Sequence, residues 1–223
     1  MNIIIFAGES LTPAQVRRSL PQAKLAPPVR RGDLHRALVD GVQLVGIVDG
    51  VFLLDLVVSP TEILDAMRVG VRVFGAGGVG AMRAAELDRL GMTGCGRIYE
   101  RIRDEPYFRD DHLGLVGASA VRGAVAMVDL EATVARLVSR RLVPAKVGAA
   151  LLRRFQALHF SERSFARLLD SLPGGKPGAA LRAAAGMLHK HHISQKTLDG
   201  QQMLTEIRDE LARVARGNRM ING

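Results

Sequence analysis

The fold class is decided by one stretch of the chain, Phe74-Gly75-Ala76-Gly77-Gly78-Val79-Gly80-Ala81-Met82-Arg83-Ala84-Ala85-Glu86-Leu87. A β-rich run, residues 71–74, leads into it, and a helical pattern continues to about residue 90, where Gly91 ends it. A strand that enters a glycine-rich turn and leaves as a helix is a unit of an open parallel sheet. The first amides of such a helix lack intrahelical acceptors, so the turn favours a negative charge.

Two earlier β-rich runs, residues 2–6 and 43–48, are each followed by Gly or Asp and then by a helical pattern. This alternation predicts an α/β fold, a small parallel sheet with crossover helices of the Rossmann-like type. Two capping boxes are predicted at helix starts, Thr12-Pro13-Ala14-Gln15 and Ser59-Pro60-Thr61-Glu62. A further helix is predicted over residues 33–39.

Strand signals end near residue 126, and the rest of the chain predicts an all-helical C-terminal region. Apolar residues recur at helical spacing in four stretches, residues 130–138, 147–158, 165–172 and 204–214. A turn or short linker is predicted at residues 173–178. The sequence therefore divides into an α/β core domain, residues 1–125, and a basic helical C-terminal region, residues 126–223.

The positive charge of the chain is concentrated in this helical region. Net charge is +9, and residues 136–216 carry fifteen Lys and Arg against six Asp and Glu, whereas residues 1–135 carry fifteen against sixteen. Such a region either attracts an acidic partner or is a solvated surface with a basic bias. Aromatic residues make up only 4% and Trp is absent, which is unlike proteins that stack single-stranded bases. Nucleic acid is therefore not an expected partner.

Residue types also limit the compartment and the cofactors. Cys95 is the only cysteine, which excludes a disulfide within the chain and a Cys-only metal site. The histidines within residues 189–192 lack a third ligand and are explained by a basic surface. Asp49 and Asp55 interrupt the apolar stretch 42–58, so no membrane span is expected. We expect a soluble, cytoplasmic protein without a metal or cofactor.

A dinucleotide site is formally possible at the glycine-rich turn, because Gly75, Gly77 and Gly80 satisfy the pattern G-x-G-x-x-G. That pattern normally follows the first strand and is answered by an acid about twenty residues later, at the end of the next strand. Here the pattern follows the third predicted strand, and residues 91–96 are interpreted as a loop. NAD or FAD binding is therefore not expected.

Polar and small residues follow the first two predicted strands. Gly8 and Ser10 come after the first strand, and Asp49 and Gly50 come after the second. The carboxyl ends of parallel strands meet at one edge of a sheet, where such folds bind ligands. Ordinary turn chemistry also explains each of these residues.

Three further side chains near the glycine turn are candidates for chemistry. Arg83 and Glu86 lie three residues apart, so on a helix they share a face and can pair, either as an exposed pair or at a site. Cys95 stands between Gly94 and Gly96, and a flexible backbone on both sides would expose its thiol. No neighbouring histidine supplies a base. Glu62 is explained by its predicted capping box.

The same residues resemble a known family, the TfuA family. The strongest matches, in order and spacing, are Gly75-Ala76, Gly80-Ala81-Met82-Arg83-Ala84-Ala85-Glu86-Leu87, Gly91-Met92 and Gly94-x-Gly96. Supporting matches are Val48-Asp49-Gly50-Val51-Phe52, Glu62-Ile63-Leu64-x-Ala66, Gly8-x-Ser10-Leu11 and Asp110-Asp111. The resemblance covers about the first 120 residues.

TfuA-like proteins accompany YcaO enzymes in making peptide backbone thioamides. The resemblance implies that this chain hydrolyses the thiocarboxylated C-terminus of a ThiS-like sulfur carrier protein, releasing sulfide, and that it aids substrate binding by YcaO. A non-catalytic adaptor that recruits the carrier and YcaO is the alternative, and an oligomer is possible. The chain departs from the family at Gly77 and Gly78, where two serines are common, and at His112, where an acid is more usual.

The first departure excludes a serine nucleophile in the glycine turn and leaves water, Ser10 or Cys95 as the attacking group. Amides of the turn would form an oxyanion hole, Arg83 would hold the thiocarboxylate, and Glu86 or Asp49 would position a water. The catalytic candidates are Ser10, Asp49, Arg83, Glu86 and Cys95. The substrate-binding candidates are Gly8, Gly50, Gly75, Gly77, Gly78, Gly80 and Met82.

Overall fold

The computed structural model describes residues 1–51, 56–114 and 123–221. The chain forms two compact units, one made of Met1–Phe108 with Lys196–Gly223 and the other of Arg109–Gln195. The five-stranded sheet lies in the first unit, whereas helices make up most of the second. Within the described residues, no helix is both long and apolar enough to cross a membrane.

The sheet is parallel, and its strand order locates the point at which the winding reverses. Its strands are β1 (Ile3–Phe6), β2 (Ala23–Ala26), β3 (Leu44–Ile47), β4 (Arg72–Gly75) and β5 (Thr93–Gly94), in the order β2-β1-β3-β4-β5. The chain passes from β1 to β2 on one side and then returns to β3 on the other, so the winding reverses between β1 and β3. The predicted α/β fold with a helical C-terminal region is confirmed.

Ten α-helices are described in the covered ranges. The first five are α1 (Pro13–Ser19), α2 (Asp33–Val39), α3 (Pro60–Arg68), α4 (Val79–Leu87) and α5 (Gly96–Asp104). The second unit contains α6 (Met127–Ser139), α7 (Ala145–Ala157), α8 (Phe165–Asp170) and α9 (Gly175–Leu188). The last helix, α10 (Gln195–Ile221), begins at the final residue of the second unit and continues in the first.

The helix starts follow from local sequence, with one correction. Thr12 and Gln15 form the complete capping box predicted for α1. Ser59 caps α3 by accepting from the Glu62 amide, but the Glu62 carboxylate does not return to the cap. It instead accepts from the amides of Gly32 (3.0 Å) and Leu34 (2.9 Å) at the start of α2. The second box was therefore half wrong, because Glu62 caps a different helix.

Three other predictions need correction. The strand β2 was missed because it is a short, partly buried edge strand, with little apolar alternation. Residues 91–96, interpreted as a loop, contain the two-residue strand β5. Because β2 was missed, the glycine turn follows the fourth strand of the chain and not the third. The turn predicted at residues 173–178 ends early, since α9 already begins at Gly175.

The core of the first unit includes part of the last helix. Strands β1 and β3 and helix α1 pack with Met203, Leu204 and Ile207 of α10. Gly46 of β3 makes room for this packing, because a Cβ atom there would lie 2.9 Å from Met203 Cε. The compact units thus differ from the sequence division at residue 125, which placed this helix with the C-terminal region. A second core, formed within residues 125–188, belongs to the other unit.

Candidate functional site

Two polar side chains meet where the winding of the sheet reverses. Ser10 follows β1 and Asp49 follows β3, and these neighbouring strands end side by side. The Asp49 carboxylate accepts from the Ser10 hydroxyl (2.7 Å), the Ser10 amide (3.2 Å) and the Gly8 amide (2.8 Å). Ser10 is only 6% exposed. Doubly wound sheets bind ligands at this point of the edge, so the pair stands at the expected place for a site.

The glycine turn packs against the same end of β3. A Cβ atom on Gly80 would overlap the carbonyl of Ile47, and one on Gly75 would overlap the carbonyl of Gly80. Gly50 meets the turn from the β3 side, since a Cβ there would lie 2.9 Å from Val79 Cβ. Close backbone packing therefore accounts for these three glycines. Gly77 has φ +68°, a conformation that side chains disfavour.

The start of α4 presents amide donors at this edge. Gly78 is its N-cap and supplies no side chain for capping. The Gly78 amide donates to the Val48 carbonyl (3.0 Å). The amides of Gly77 and Val79 have no acceptor among the described residues. The positive end of the helix dipole adds to these two donors, so the turn favours an anion or a developing oxyanion.

A lysine that the sequence did not single out lies at the same turn. The position of a Cβ atom on Gly78 would be 3.7 Å from Lys196 Nζ and 3.6 Å from Asp49 Oδ1. Lys196 is the second residue of α10 and is only 4% exposed. It stands more than a hundred residues from the glycine turn in the chain and outside any motif, so nothing in a single sequence links the two.

Arg83 and Glu86 form the predicted pair on α4. Arg83 Nη1 donates to both carboxylate oxygens of Glu86 (2.8 and 2.7 Å), and Arg83 Nε donates to the Val58 carbonyl (2.8 Å). Arg83 is buried and Glu86 is exposed. In the described ranges, neither side chain forms a hydrogen bond or an ion pair with Ser10 or Asp49. Met82 is half-buried on the same helix.

The expectation that Cys95 exposes its thiol was wrong. Cys95 is 1% exposed, belongs to the core of the first unit, and donates from Sγ to Glu206 Oε2 of α10 (3.1 Å). Burial, followed by the hydrogen bond to Glu206 and the charge of that carboxylate, raises the pKa of the Cys95 thiol. A protonated, enclosed thiol is a poor nucleophile. The flanking glycines serve packing, because a Cβ on Gly96 would overlap Asp199.

The acidic pair Asp110-Asp111 lies in the second unit. Asp111 accepts from Arg109 Nε (2.9 Å) and from the buried Arg163 Nη2 (2.8 Å). Burial alone would raise the pKa of Asp111, but the two guanidinium groups lower it below its usual value. His112 is buried, with Nδ1 3.8 Å from Glu131 Oε1. Phe52, the last residue of the Val48–Phe52 match, lies outside the described residues.

The family follows from a comparison with family models. The model described as TfuA-like protein matches residues 49–164, which is more than half of the chain. The chain belongs to the TfuA family. The matched range contains Asp49, the glycine turn, Arg83, Glu86 and Cys95, whereas Ser10 and Lys196 lie outside it. No curated protein matches the sequence.

Membership of the TfuA family links the chain to YcaO-type systems. Within the described ranges, no three His, Cys, Asp or Glu side chains are grouped to hold a metal ion. The groups that meet at the site are a hydroxyl, a carboxylate, an ammonium and backbone amides.

Proposed function

We propose that this TfuA-family protein is a YcaO partner in peptide backbone thioamidation that hydrolyses the thiocarboxylated C-terminus of a ThiS-like sulfur carrier. The observation that carries the proposal is the Ser10–Asp49 hydrogen bond at the reversal point of the sheet, beside the amides that begin α4. A hydroxyl that donates to a carboxylate, at the same sheet edge as free amide donors, supports a role in attack on a carbonyl. In the cell, the released sulfide would supply the YcaO enzyme.

The attacking oxygen is either that of Ser10 or that of a water held by Ser10. When Ser10 attacks, Asp49 accepts the proton of the Ser10 hydroxyl. When water attacks, Ser10 takes a proton from the water and passes its own proton to Asp49. The carbonyl carbon forms a bond to the new oxygen and its bond to sulfur breaks. Thiocarboxylate and water become carboxylate, hydrosulfide and a proton. If Ser10 attacks, a serine ester forms first and water then hydrolyses it.

The leaving group needs a proton. The thiocarboxylate sulfur carries none, so it takes up one as its bond to carbon breaks and leaves as hydrosulfide; the proton that Asp49 receives from the nucleophile supplies it. Negative charge develops on the carbonyl oxygen during attack, and the amides of Gly77 and Val79 would stabilise it. A role for Cys95 as nucleophile has no support from its buried position. The Arg83–Glu86 pair, one and a half turns along α4, supports the helix that carries these amides.

Sulfide release from purified thiocarboxylated carrier tests the proposal. We expect the wild-type protein to convert the carrier to its carboxylate, seen by mass spectrometry as replacement of sulfur by oxygen. Ser10→Ala and Asp49→Asn are each expected to lower the rate by about 100-fold or more, as losses of acid–base groups do. The matched controls Ser139→Ala and Asp209→Asn alter exposed positions and are expected to change it less than about twofold.

A non-catalytic adaptor is the second candidate, favoured by the burial of Ser10 and of the turn glycines. The adaptor binds carrier and YcaO but leaves the rate of sulfide release equal to that of carrier alone. A wild-type protein that binds the carrier without accelerating its hydrolysis would therefore replace the first proposal by the second. A serine ester trapped on Ser10 would select the covalent route.

A further inference from the structure

We propose that Lys196 is the residue that binds the anionic end of the carrier at the glycine turn, an inference that rests on the proposed function. Its ammonium group and the Asp49 carboxylate flank Gly78, each within 3.7 Å of the position of a Cβ atom there. The ligand class is a C-terminal thiocarboxylate or carboxylate on an extended peptide. No sequence motif marks this residue, and the family match ends before it.

The backbone of Lys196 lies as close to the glycine turn as its side chain does. A Cβ atom on Gly77 would lie 3.3 Å from the Lys196 carbonyl oxygen and 3.7 Å from its Cα. Gly77 therefore admits the start of α10 close to the start of α4. Its positive φ also disfavours a side chain at this position. The bare backbone of the turn thus lets Lys196 lie beside the start of α4.

The reaction itself explains why a cation belongs here. A thiocarboxylate already carries a negative charge, and attack on its carbon adds a second charge to the tetrahedral intermediate. Two amide donors stabilise part of that charge, whereas an ammonium group in a water-poor site neutralises a whole unit. Burial of Lys196 strengthens the attraction, because opposite charges interact more strongly where water is excluded.

A structural role for Lys196 makes a different prediction from ligand binding. If the side chain only stabilises the fold, its neutral replacement lowers stability and affects all ligands equally. If it binds the anionic terminus, its replacement removes the preference for a charged terminus over a neutral one. Two peptides separate these cases, both with the sequence of a carrier tail and one ending in Gly-Gly carboxylate, the other in Gly-Gly amide.

The experiment compares the affinities of the two peptides for wild-type protein, Lys196→Met, Lys196→Arg and the control Lys146→Met. Lys146 is the exposed second residue of α7, so its replacement repeats the same change at the matching helix position. We expect the wild type and Lys146→Met to prefer the carboxylate peptide by about tenfold or more, as a hydrogen bond to a charged group does. Lys196→Met is expected to lose this preference and Lys196→Arg to retain part of it.

Sulfide release supplies the second readout. Lys196→Met is expected to lower kcat/KM for thiocarboxylated carrier by about 100-fold, comparable to the loss of an oxyanion donor. Equal preference for the carboxylate in Lys196→Met and the wild type would overturn the inference, even where sulfide release confirms the proposed function. The inference also falls if the wild type shows no preference for the carboxylate.

The reverse failure is distinguishable as well. If the wild type releases no sulfide, hydrolysis is refuted. If Lys196→Met nevertheless lacks the carboxylate preference that the wild type shows, the binding role of Lys196 stands. Circular dichroism and urea unfolding establish that each variant folds. If Lys196→Met does not fold, Lys196→Arg decides alone, since a longer planar cation is expected to weaken carboxylate binding by several-fold while keeping the charge.

Discussion

Among single residues, Cys95 shows how position changes the chemistry expected of a side chain. A thiol between two glycines was expected to be exposed, yet Cys95 packs in the core of the first unit with residues of β1 and α10. Its hydrogen bond goes to a carboxylate, which opposes formation of the thiolate. Ser10 and Asp49, by contrast, were predictable, because both follow strands whose ends must meet. Lys196 was not, since its approach to the turn depends on packing between distant helices.

The raised pKa of Cys95 predicts how stability depends on pH. The unfolded chain loses the thiol proton above about pH 8.5, while the folded protein keeps it. The contribution of the protonated thiol to the free energy of unfolding is therefore complete below about pH 8.5. It is lost as the pH rises towards the folded pKa, by up to about 1.4 kcal/mol per pH unit. Urea unfolding between pH 8 and pH 10 should show a steeper fall for the wild type than for Cys95→Ala. Parallel curves, or rapid alkylation of the folded thiol, would contradict the assignment.

At the scale of elements, buried carboxylates from distant segments cap two of the helices. Glu62 accepts from amides at the start of α2, and Asp199 of α10 accepts from the amides of Arg97 (3.2 Å) and Ile98 (2.8 Å) in α5. Sequence patterns predict only local caps, which is why the box of Thr12 was correct and the role of Glu62 was not. The short strands β2 and β5 were not predicted for a related reason, because pairing with neighbouring strands stabilises them and local sequence does not.

Asp199→Asn tests whether this distant cap stabilises α5. The amide retains the shape but replaces one acceptor oxygen by a donor facing backbone N–H groups, so we expect a loss of about 1–2 kcal/mol in the free energy of unfolding. Urea denaturation measures the change. The control Asp209→Asn, on the exposed side of the same helix, is expected to cost less than about 0.5 kcal/mol. Similar losses in both variants would show that the cap contributes nothing specific.

In the whole molecule, the two compact units do not coincide with the division at residue 125 that the sequence pattern predicted. The helical character of residues 126–223 was predictable from apolar spacing, but the assignment of α10 to the sheet depended on its packing against β1 and β3. Residues 109–195 form the second unit, which carries thirteen Lys and Arg against six Asp and Glu. Most of the net charge therefore resides in the unit without the sheet, where it is available to an acidic partner.

Charge reversal tests whether that unit steers an acidic carrier towards the protein. Arg136 is exposed on α6 and Arg140 is exposed at its C-cap, whereas Arg17 and Arg18 are exposed on α1 of the sheet unit. Replacing either pair by Glu changes the net charge equally, so only location differs. We expect Arg136→Glu/Arg140→Glu to slow carrier association several-fold at about 0.05 M salt, with the difference shrinking at about 0.5 M as charges are screened. Stopped-flow measurement of the association rate tests this expectation. If Arg17→Glu/Arg18→Glu slows association equally, net charge alone, and not a basic docking surface, governs the association rate.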